Sequence, residues 1–323
     1  MNVHAAALAK ADRFDEQTSA FAQDVIEGLS QQPKRLSPKY FYDVTGSELF
    51  EQITRLPEYY PTRTELKILR ERGPDIKATL PKNAALVEFG AGATTKVRLL
   101  LEQCEFAAYV PVDISGDFLN AQARALREDF PHLNVYPVTA DFTAPFALPG
   151  AVKAMPKVGF FPGSTLGNFE PHEASAFLRS ARDILGKGGQ LLIGIDLEKD
   201  ERQLYAAYND AAGVTARFNL NVLTRINREL GGNFNLSGFT HRAIYNRERH
   251  RIEMHLISRT QQTVRVLGRS FSFRTGESIH TECSYKYSLD RFTALALGSG
   301  WTPRVSWTDP DNLFSVHELV ASE

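Results

Sequence analysis

The amino-acid sequence predicts an α/β protein: a Rossmann-like, doubly wound, mostly parallel sheet accompanied by a second α+β domain. Three observations carry this. Apolar runs of strand length alternate with helical patterns from Ala85 to Ile195, the succession that builds parallel sheets. The first run, Ala84 to Val87, breaks into Gly90-Ala91-Gly92 and leads into a helix-compatible segment, Lys96 to Gln103; glycines in such a turn let backbone approach a ligand closely. Beyond Leu197 the character changes, helical and polar to Arg242 and strand-like from Ala243, before one helix and two strands close the chain.

Taken in order, Ser19 to Leu29 places Phe21, Val25, Ile26 and Leu29 at helical spacing, an amphipathic helix. Pro33 and Pro38 mark a turn, and the consecutive aromatics Tyr40-Phe41-Tyr42 precede a Gly-Ser helix start. Three aromatics in a row exceed one buried helix face, so some are expected to line a cleft. Leu56-Pro57-Glu58-Tyr59-Tyr60-Pro61 is stiff, because each proline fixes its own φ and restricts its predecessor; it suits a pocket wall, with Thr62 or Thr64 capping a helix from Leu66 to Arg72. Strands are expected at Ala85 to Phe89, Ala108 to Val112, Asn134 to Val138, Lys157 to Phe161 and Gln190 to Ile195, with helices at Ser115 to Phe130 and His172 to Leu185. In the later segment Ile252 to Ile257, Thr263 to Leu267 and Glu277 to Tyr287 read as strands, then a helix (Ser288 to Leu297) and strands Thr302 to Trp307 and Leu313 to Val320.

Composition narrows the function. With 323 residues, 43% hydrophobic and 23% charged, the chain has the length and balance of a globular protein with a sizeable core. A net charge of −1 supplies no basic field for nucleic acid or an anionic membrane. The cluster Asn246 to Arg251 reads as a solvated hairpin tip. No stretch is apolar enough to span a bilayer and Met1 to Asp12 carries no signal-peptide pattern. Cys104 and Cys283 lack metal-type spacing, so free thiols, no metal and a cytoplasmic location are expected.

The candidate chemistry sits at the strand tips. Thr95 stands where a dinucleotide fingerprint would have its third glycine, which argues against hydride chemistry. Asp113 ends the second strand a little over twenty residues after Gly90, where a carboxylate accepts hydrogen bonds from ribose hydroxyls. Asp141-Phe142 suits the edge and face of a purine, although an Asx turn explains Asp141 nearly as well. Gly163 to Asn168 places small polar residues at the end of the fourth strand, and Glu88 is an acid inside an apolar run, expected to meet a ligand or cap the loop. No G-x-S-x-G elbow is present.

These tips, with Gly186-Lys187-Gly188-Gly189 before the fifth strand, resemble a class I S-adenosylmethionine-dependent methyltransferase. Lys39 to Asp43, Leu56 to Thr64, Leu86 to Lys96, Gly163 to Asn168, Tyr208 to Thr215, Arg251 to Met254 and Thr281 to Lys286 look more particularly like the L-histidine Nα-methyltransferases of ergothioneine biosynthesis, over nearly the whole chain. The resemblance implies three successive methyl transfers to the α-amino nitrogen of L-histidine, giving the betaine hercynine, with S-adenosylhomocysteine as by-product. It implies a cofactor domain of residues 63–197 and 287–323 and a substrate domain of 1–62 and 198–286. By the same resemblance Tyr42, Gly90, Lys96, Asp113, Asp141 and Phe142 hold the cofactor. Asn168 and Tyr208 grip the substrate carboxylate, Tyr59 stands by the reacting amine as the catalytic residue, and Glu282 and Ser284 read the imidazole with Met254 nearby. Lys96 could instead be a solvated first-turn lysine, and Glu282 with Ser284 an exposed strand face. A monomer acting on a small molecule is expected, without nucleic acid or membrane. The alternatives are a methyltransferase for another aromatic amino acid such as tryptophan, against which an acidic Glu282 argues, and a cofactor-binding regulatory module without turnover.

Overall fold

The computed structural model describes residues 19–322; the reading of Met1 to Asp12 lies outside them. The chain forms two compact units, one of Tyr60–Asp200 with the segment from Ser284 onward, the other of the residues up to Tyr59 with Glu201–Cys283.

The first unit is built on an eight-stranded sheet in the order Trp301–Thr308, Phe314–Ala321, Gln190–Asp196, Lys157–Phe161, Ala85–Phe89, Ala108–Asp113 and Asn134–Val135, with Val138–Thr139 pairing farther along Ala108–Asp113. The neighbours of Ala85–Phe89 and of Lys157–Phe161 are parallel, whereas Phe314–Ala321 is antiparallel to both its neighbours. From Ala85–Phe89 the chain first winds outward to Ala108–Asp113 and later returns to the other side with Lys157–Phe161. Strand order therefore reverses between these two strands, and their carboxyl ends open the crevice where doubly wound sheets bind ligands. Strands buried on both faces need apolar residues throughout, and Ala85–Phe89 is buried at every position. Alternation sends Leu86, Val158, Phe160 and Leu192 into a core with Ile68, Val97 and Leu126, while Phe89 and Phe161 meet Phe177 at centroid distances of 5.6 and 4.3 Å. Truncating such a side chain to alanine costs about 2–5 kcal/mol.

Three local expectations are corrected. The helix expected from Leu66 runs Tyr60–Glu71; Pro61 in its first turn forfeits no intrahelical N–H bond, and Thr64 is no cap but donates from Oγ1 to the Tyr60 carbonyl at 2.9 Å. A further helix, Gly73–Thr79, which was not expected, starts at a Gly-Pro pair with the proline in its first turn. Asn134 to Val138 is two short pieces, because Pro137 has no N–H for the ladder.

Glu88 meets Tyr109, whose hydroxyl donates to Glu88 Oε2. Burial pushes the Glu88 carboxyl up to about 8, against the pull of Tyr109 and Lys96 and with Asp113 and Glu65 adding to it. The group is thus mostly protonated at neutrality.

The second unit carries helices over residues 19–30 and at Val44–Thr54, Glu201–Tyr208 and Val214–Leu230. Its sheet runs Lys34–Arg35, Ser278–Tyr285, Arg251–Ser258, Phe239–Asn246, the second of these strands continuing past Cys283 into the other unit. Gln262–Val266 pairs with Arg269–Phe273 as a hairpin. Phe239–Asn246 begins earlier than expected because its outward residues, Thr240 and Arg242, are exposed and polar. The hairpin's second strand was concealed by its turn, where Leu267 (φ 48°) stands beside Gly268 (φ 75°) in a conformation more often signalled by Asn-Gly. Cys104 and Cys283 are free and buried, and among the described residues no helix is long and apolar enough to cross a membrane.

Because the Glu88 carboxyl ionises at about 8 in the folded chain and at 4.5 ordinarily, the unfolded state releases its proton first, and stability falls as pH rises between those values. Glu88→Gln removes this term. In urea melts the variant should gain on the wild type from pH 5 to pH 8, by on the order of 2–4 kcal/mol; a difference independent of pH would refute the assignment.

Candidate active site

In the sheet unit the ligand-type residues gather at the carboxyl ends of the strands. Gly90 takes φ 74°, and a Cβ there would lie 3.1 Å from Phe142 Cε1, so the turn and the phenyl ring are in close approach only because the residue is glycine. Phe142 also packs on Phe161 and Phe177, with centroids at 5.6 and 5.9 Å. Asp113 accepts from the Ser115 N–H at 2.8 Å; burial pushes its carboxyl up, against the N–H groups of Ser115 and Ile114. Asp141 forms the Asx turn, accepting from the Thr143 N–H at 2.9 Å and its hydroxyl at 2.5 Å, and its side chain is exposed.

Lys96 is neither solvated nor a lone charge, since its Nζ lies 2.6 Å from Oε2 of the buried Glu65. Both Glu65 oxygens also accept from the Gly163 N–H, at 2.9 and 3.0 Å. This ion pair ties the helix after the Gly90 turn to the loop after Lys157–Phe161. In that loop Gly163 (φ 82°) and Ser164 (φ 57°) both take left-handed backbone and deliver the half-buried Asn168 at the end of the turn Thr165–Asn168. A Cβ on Gly167 would fall 2.8 Å from the Tyr285 carbonyl oxygen, so the turn presses on the backbone that follows Ser284.

Ser284 is buried, and its Oγ accepts from Lys286 Nζ at 2.7 Å. Lys286, 0% exposed, reaches Asp196 Oδ2 at 2.7 Å. Asp196 also accepts from the Tyr60 hydroxyl at 2.8 Å and from Lys199, while its own N–H donates to Ser164 Oγ at 2.9 Å. Burial opposes the charge on Asp196, but Lys286 and Lys199 outweigh it and hold the carboxyl below its ordinary range. Burial pushes Lys199 down to about 8, against the attraction of Asp196.

The second unit gathers the tyrosines. Tyr59 and Tyr208 are edge to face at 6.3 Å. Phe50 meets Tyr59 at 6.3 Å and Tyr42 at 5.6 Å, and Tyr42 meets Phe218 at 5.7 Å. Of the three consecutive aromatics, Tyr40 and Phe41 are buried whereas Tyr42 keeps 41% of its surface exposed. Burial, then the Glu282 carboxylate and Tyr208, push its phenol well above the ordinary value, which keeps it neutral. Asp43 anchors this loop, accepting from the Gly46 N–H at 2.8 Å, Asn221 Nδ2 at 2.7 Å and Arg228 Nη2 at 2.7 Å. Tyr208 ends its helix, and its carbonyl accepts from His241 Nε2 at 2.8 Å. Met254 is buried in mid-strand, its carbonyl accepting from Thr281 Oγ1 at 3.1 Å.

Of the residues singled out from sequence, Tyr42, Tyr59, Tyr208, Met254 and Glu282 thus belong to one unit, and Gly90, Lys96, Asp113, Asp141, Phe142, Asn168 and Ser284 to the other. Sequence reasoning missed Phe50 and Phe218, whose signal was an aromatic excess near Tyr42 and Tyr208, and it missed Glu65, Asp196 and Lys286, whose partners are distant in sequence. Glu253, His255 and His280 bring metal-type atoms within 4.8 Å of one another, yet Glu253 is already bonded by Arg251 and Asn246, and His280 Nε2 lies 3.0 Å from the Glu282 carbonyl.

An open sheet with glycine turns, strand-tip acids and an aromatic edge at its reversal point defines a class I S-adenosylmethionine-dependent methyltransferase. More particularly, residues 21–321 match the family model described as histidine-specific methyltransferase, SAM-dependent, and the chain belongs to that family. It is 41% identical to the histidine N-alpha-methyltransferase of Mycolicibacterium smegmatis over 95% of this chain and 96% of that one. It is 40% identical to the enzyme of the same name from Mycobacterium tuberculosis over 90% and 91%. Ergothioneine biosynthesis protein 1 of Neurospora crassa is 31% identical over 90% of this chain, which spans 33% of that longer protein.

The contact of Gly167 with Tyr285 is backbone on backbone, so Gly167→Ala must move the turn that carries Asn168. It should raise KM for the amino-acid substrate by about tenfold or more while the protein still melts cooperatively; an unchanged KM would show that the turn's position does not matter.

Proposed function

We propose that the chain transfers methyl groups from S-adenosylmethionine to the α-amino nitrogen of L-histidine, three in succession, giving hercynine, the first step of ergothioneine biosynthesis. The observation that carries this reading is the group of Tyr42, Tyr59 and Tyr208 completed by Phe50 and Phe218, in a unit that also holds the buried acid Glu282. Electron-rich faces accept a methylammonium whatever its number of methyl groups, each contact being worth about 0.5–2 kcal/mol, so one site can serve amine, mono- and dimethylamine.

S-adenosylmethionine supplies a methyl group already activated on a sulfonium. The residues present suit it: Gly90 permits close backbone approach, Asp113 takes the ribose hydroxyls, and Phe142 offers an apolar face with Asp141 beside it for the adenine. Lys96, balanced by Glu65, and Tyr42 complete this set. The protein's task is then placement, with the amine held in line at about 3–3.5 Å. Asn168 and Tyr208 hold the substrate carboxylate, and Glu282 and Ser284 read the imidazole, an acceptor and a hydroxyl for two ring nitrogens, with Met254 packing beside them. α-Amino groups are mostly protonated near neutrality, so the site takes up the deprotonated amine, with the proton leaving to solvent through water or by relay through the Tyr59 hydroxyl. The sheet unit is the cofactor domain and the other unit the substrate domain, acting as a monomer in the cytoplasm.

Mass spectrometry of the purified protein with S-adenosylmethionine and L-histidine, with tryptophan and tyrosine in parallel, tests the reading. The expected product is heavier than histidine by three methyl groups; methylation of tryptophan instead would overturn the histidine assignment. Tyr59→Phe should lower kcat by roughly 10- to 100-fold with product of the same mass, and wild-type rates at every step would remove the tyrosine from proton transfer.

A further inference from the structure

We propose that His241 and Asn209 are positioning residues for substrate selection: they dock the carboxyl end of helix Glu201–Tyr208 on the edge of strand Phe239–Asn246, so that Tyr208 and Met254 stand at a fixed spacing and the site takes an amino acid of one side-chain length. This rests on the reading of Tyr208 and Met254 given above and deepens it.

Helix Glu201–Tyr208 is eight residues long, too short to be stable alone, and its final carbonyls need partners from outside it. His241 supplies one. Its Nε2 lies 2.8 Å from the Tyr208 carbonyl oxygen, which only accepts, so Nε2 carries the hydrogen. Nδ1 of the neutral ring is then an acceptor, and Asn219 Nδ2 donates to it at 2.9 Å. The Asn219 amide cannot be reversed, because the same nitrogen donates to the His255 carbonyl at 3.2 Å. Burial pushes the His241 ring below its ordinary value, which keeps it in the neutral form that this chain of bonds requires. Helix Val214–Leu230, through Asn219, thus orients the ring that holds Tyr208.

Asn209, the next residue in the chain, makes the second attachment. Its Oδ1 accepts from the Ala243 N–H at 3.0 Å and its Nδ2 donates to the Ala243 carbonyl at 3.2 Å, as a neighbouring strand would. Phe239–Asn246 is the last strand of its sheet, so these are backbone groups that the ladder itself does not use. Ala243 stands opposite Met254 in register. Since both of its backbone groups turn to Asn209, this pair is of the non-hydrogen-bonded kind, with Cα atoms about 4.5 Å apart and side chains close together. Tyr208 is thereby registered, through Asn209 and Ala243, against Met254. The first holds the substrate carboxylate and the second packs beside its ring, so the register sets the length of side chain that reaches both.

The test compares kinetics for L-histidine and for L-homohistidine, whose side chain is longer by one methylene. The wild type should prefer histidine in kcat/KM by at least about tenfold, the worth of a methylene in a fitted site. His241→Leu and Asn209→Ala should each raise KM for histidine about three- to tenfold and narrow that preference by about threefold or more. Calorimetry should find Kd for S-adenosylhomocysteine within about twofold of wild type in both, because the strand-tip residues suited to the cofactor lie in the other unit. His241→Gln keeps an N–H for the Tyr208 carbonyl and should bring KM and preference back to within about twofold of wild type. A merely structural role would weaken cofactor binding along with KM and leave the preference as it was, and that result overturns the proposal. So does a wild-type KM for histidine in both His241→Leu and Asn209→Ala, or a His241→Gln enzyme as impaired as His241→Leu. Equal use of the two amino acids by the wild type overturns it without any variant, which keeps the idea testable if His241→Leu or Asn209→Ala does not fold. Tyr208→Phe, which leaves the backbone carbonyl and its bond to His241 in place, with unchanged KM for histidine would instead sink the carboxylate reading of Tyr208 itself.

Discussion

Much of the sheet unit depends on one buried carboxylate. Asp196, at the end of Gln190–Asp196, collects the Tyr60 hydroxyl, Lys199 and Lys286 on its side chain and fixes Ser164 through its backbone N–H. Removing one partner of such a buried pair costs about 3–5 kcal/mol, because a charge is left in low dielectric without its counterion. The chain passes between the two units at Tyr59/Tyr60, Asp200/Glu201 and Cys283/Ser284, and the partners of Asp196 stand beside each of those passages. Local order at the turn bearing Asn168 and at Ser284 therefore shares one electrostatic anchor.

Glu65 plays a similar part on the neighbouring loop. Its carboxylate joins Lys96, on the helix after the Gly90 turn, to the N–H of Gly163. Both acids are almost fully buried near the carboxyl ends of the strands, and each binds groups from segments far apart in the chain. They hold the loop Gly163 to Asn168 and the start of the helix after the Gly90 turn in place. Glu88 is the opposite case: an acid kept neutral by burial, with the Tyr109 hydroxyl donating to it.

In the second unit the organising force is apolar. Tyr42, Phe50, Tyr59, Tyr208 and Phe218 come from three helices and two connecting segments and meet edge to face, the geometry that ring quadrupoles favour. Polar groups only aim them, Asp43 through Asn221 and Arg228 and Tyr208 through His241. A pocket wall of this kind discriminates by shape and charge and leaves orientation to the few polar residues beside it.

Periodicity and punctuation determined the sheet unit nearly strand by strand, because parallel strands buried on both faces write continuous apolar runs and their glycine turns are local signals. The strand-tip acids were legible for the same reason, as was Glu88 as an anomaly, though not its partner. What the sequence by itself could not determine was every feature made by distant contacts. Tyr60 was read as a stiff turn and opens a helix, Lys96 was read as a cofactor contact or a solvated lysine and pairs with the buried Glu65, and Lys286 was given no role of its own. A side chain's charge is written in the sequence, whereas its counterion, its burial and the direction of its hydrogen bonds exist only once segments far apart in the chain have packed together.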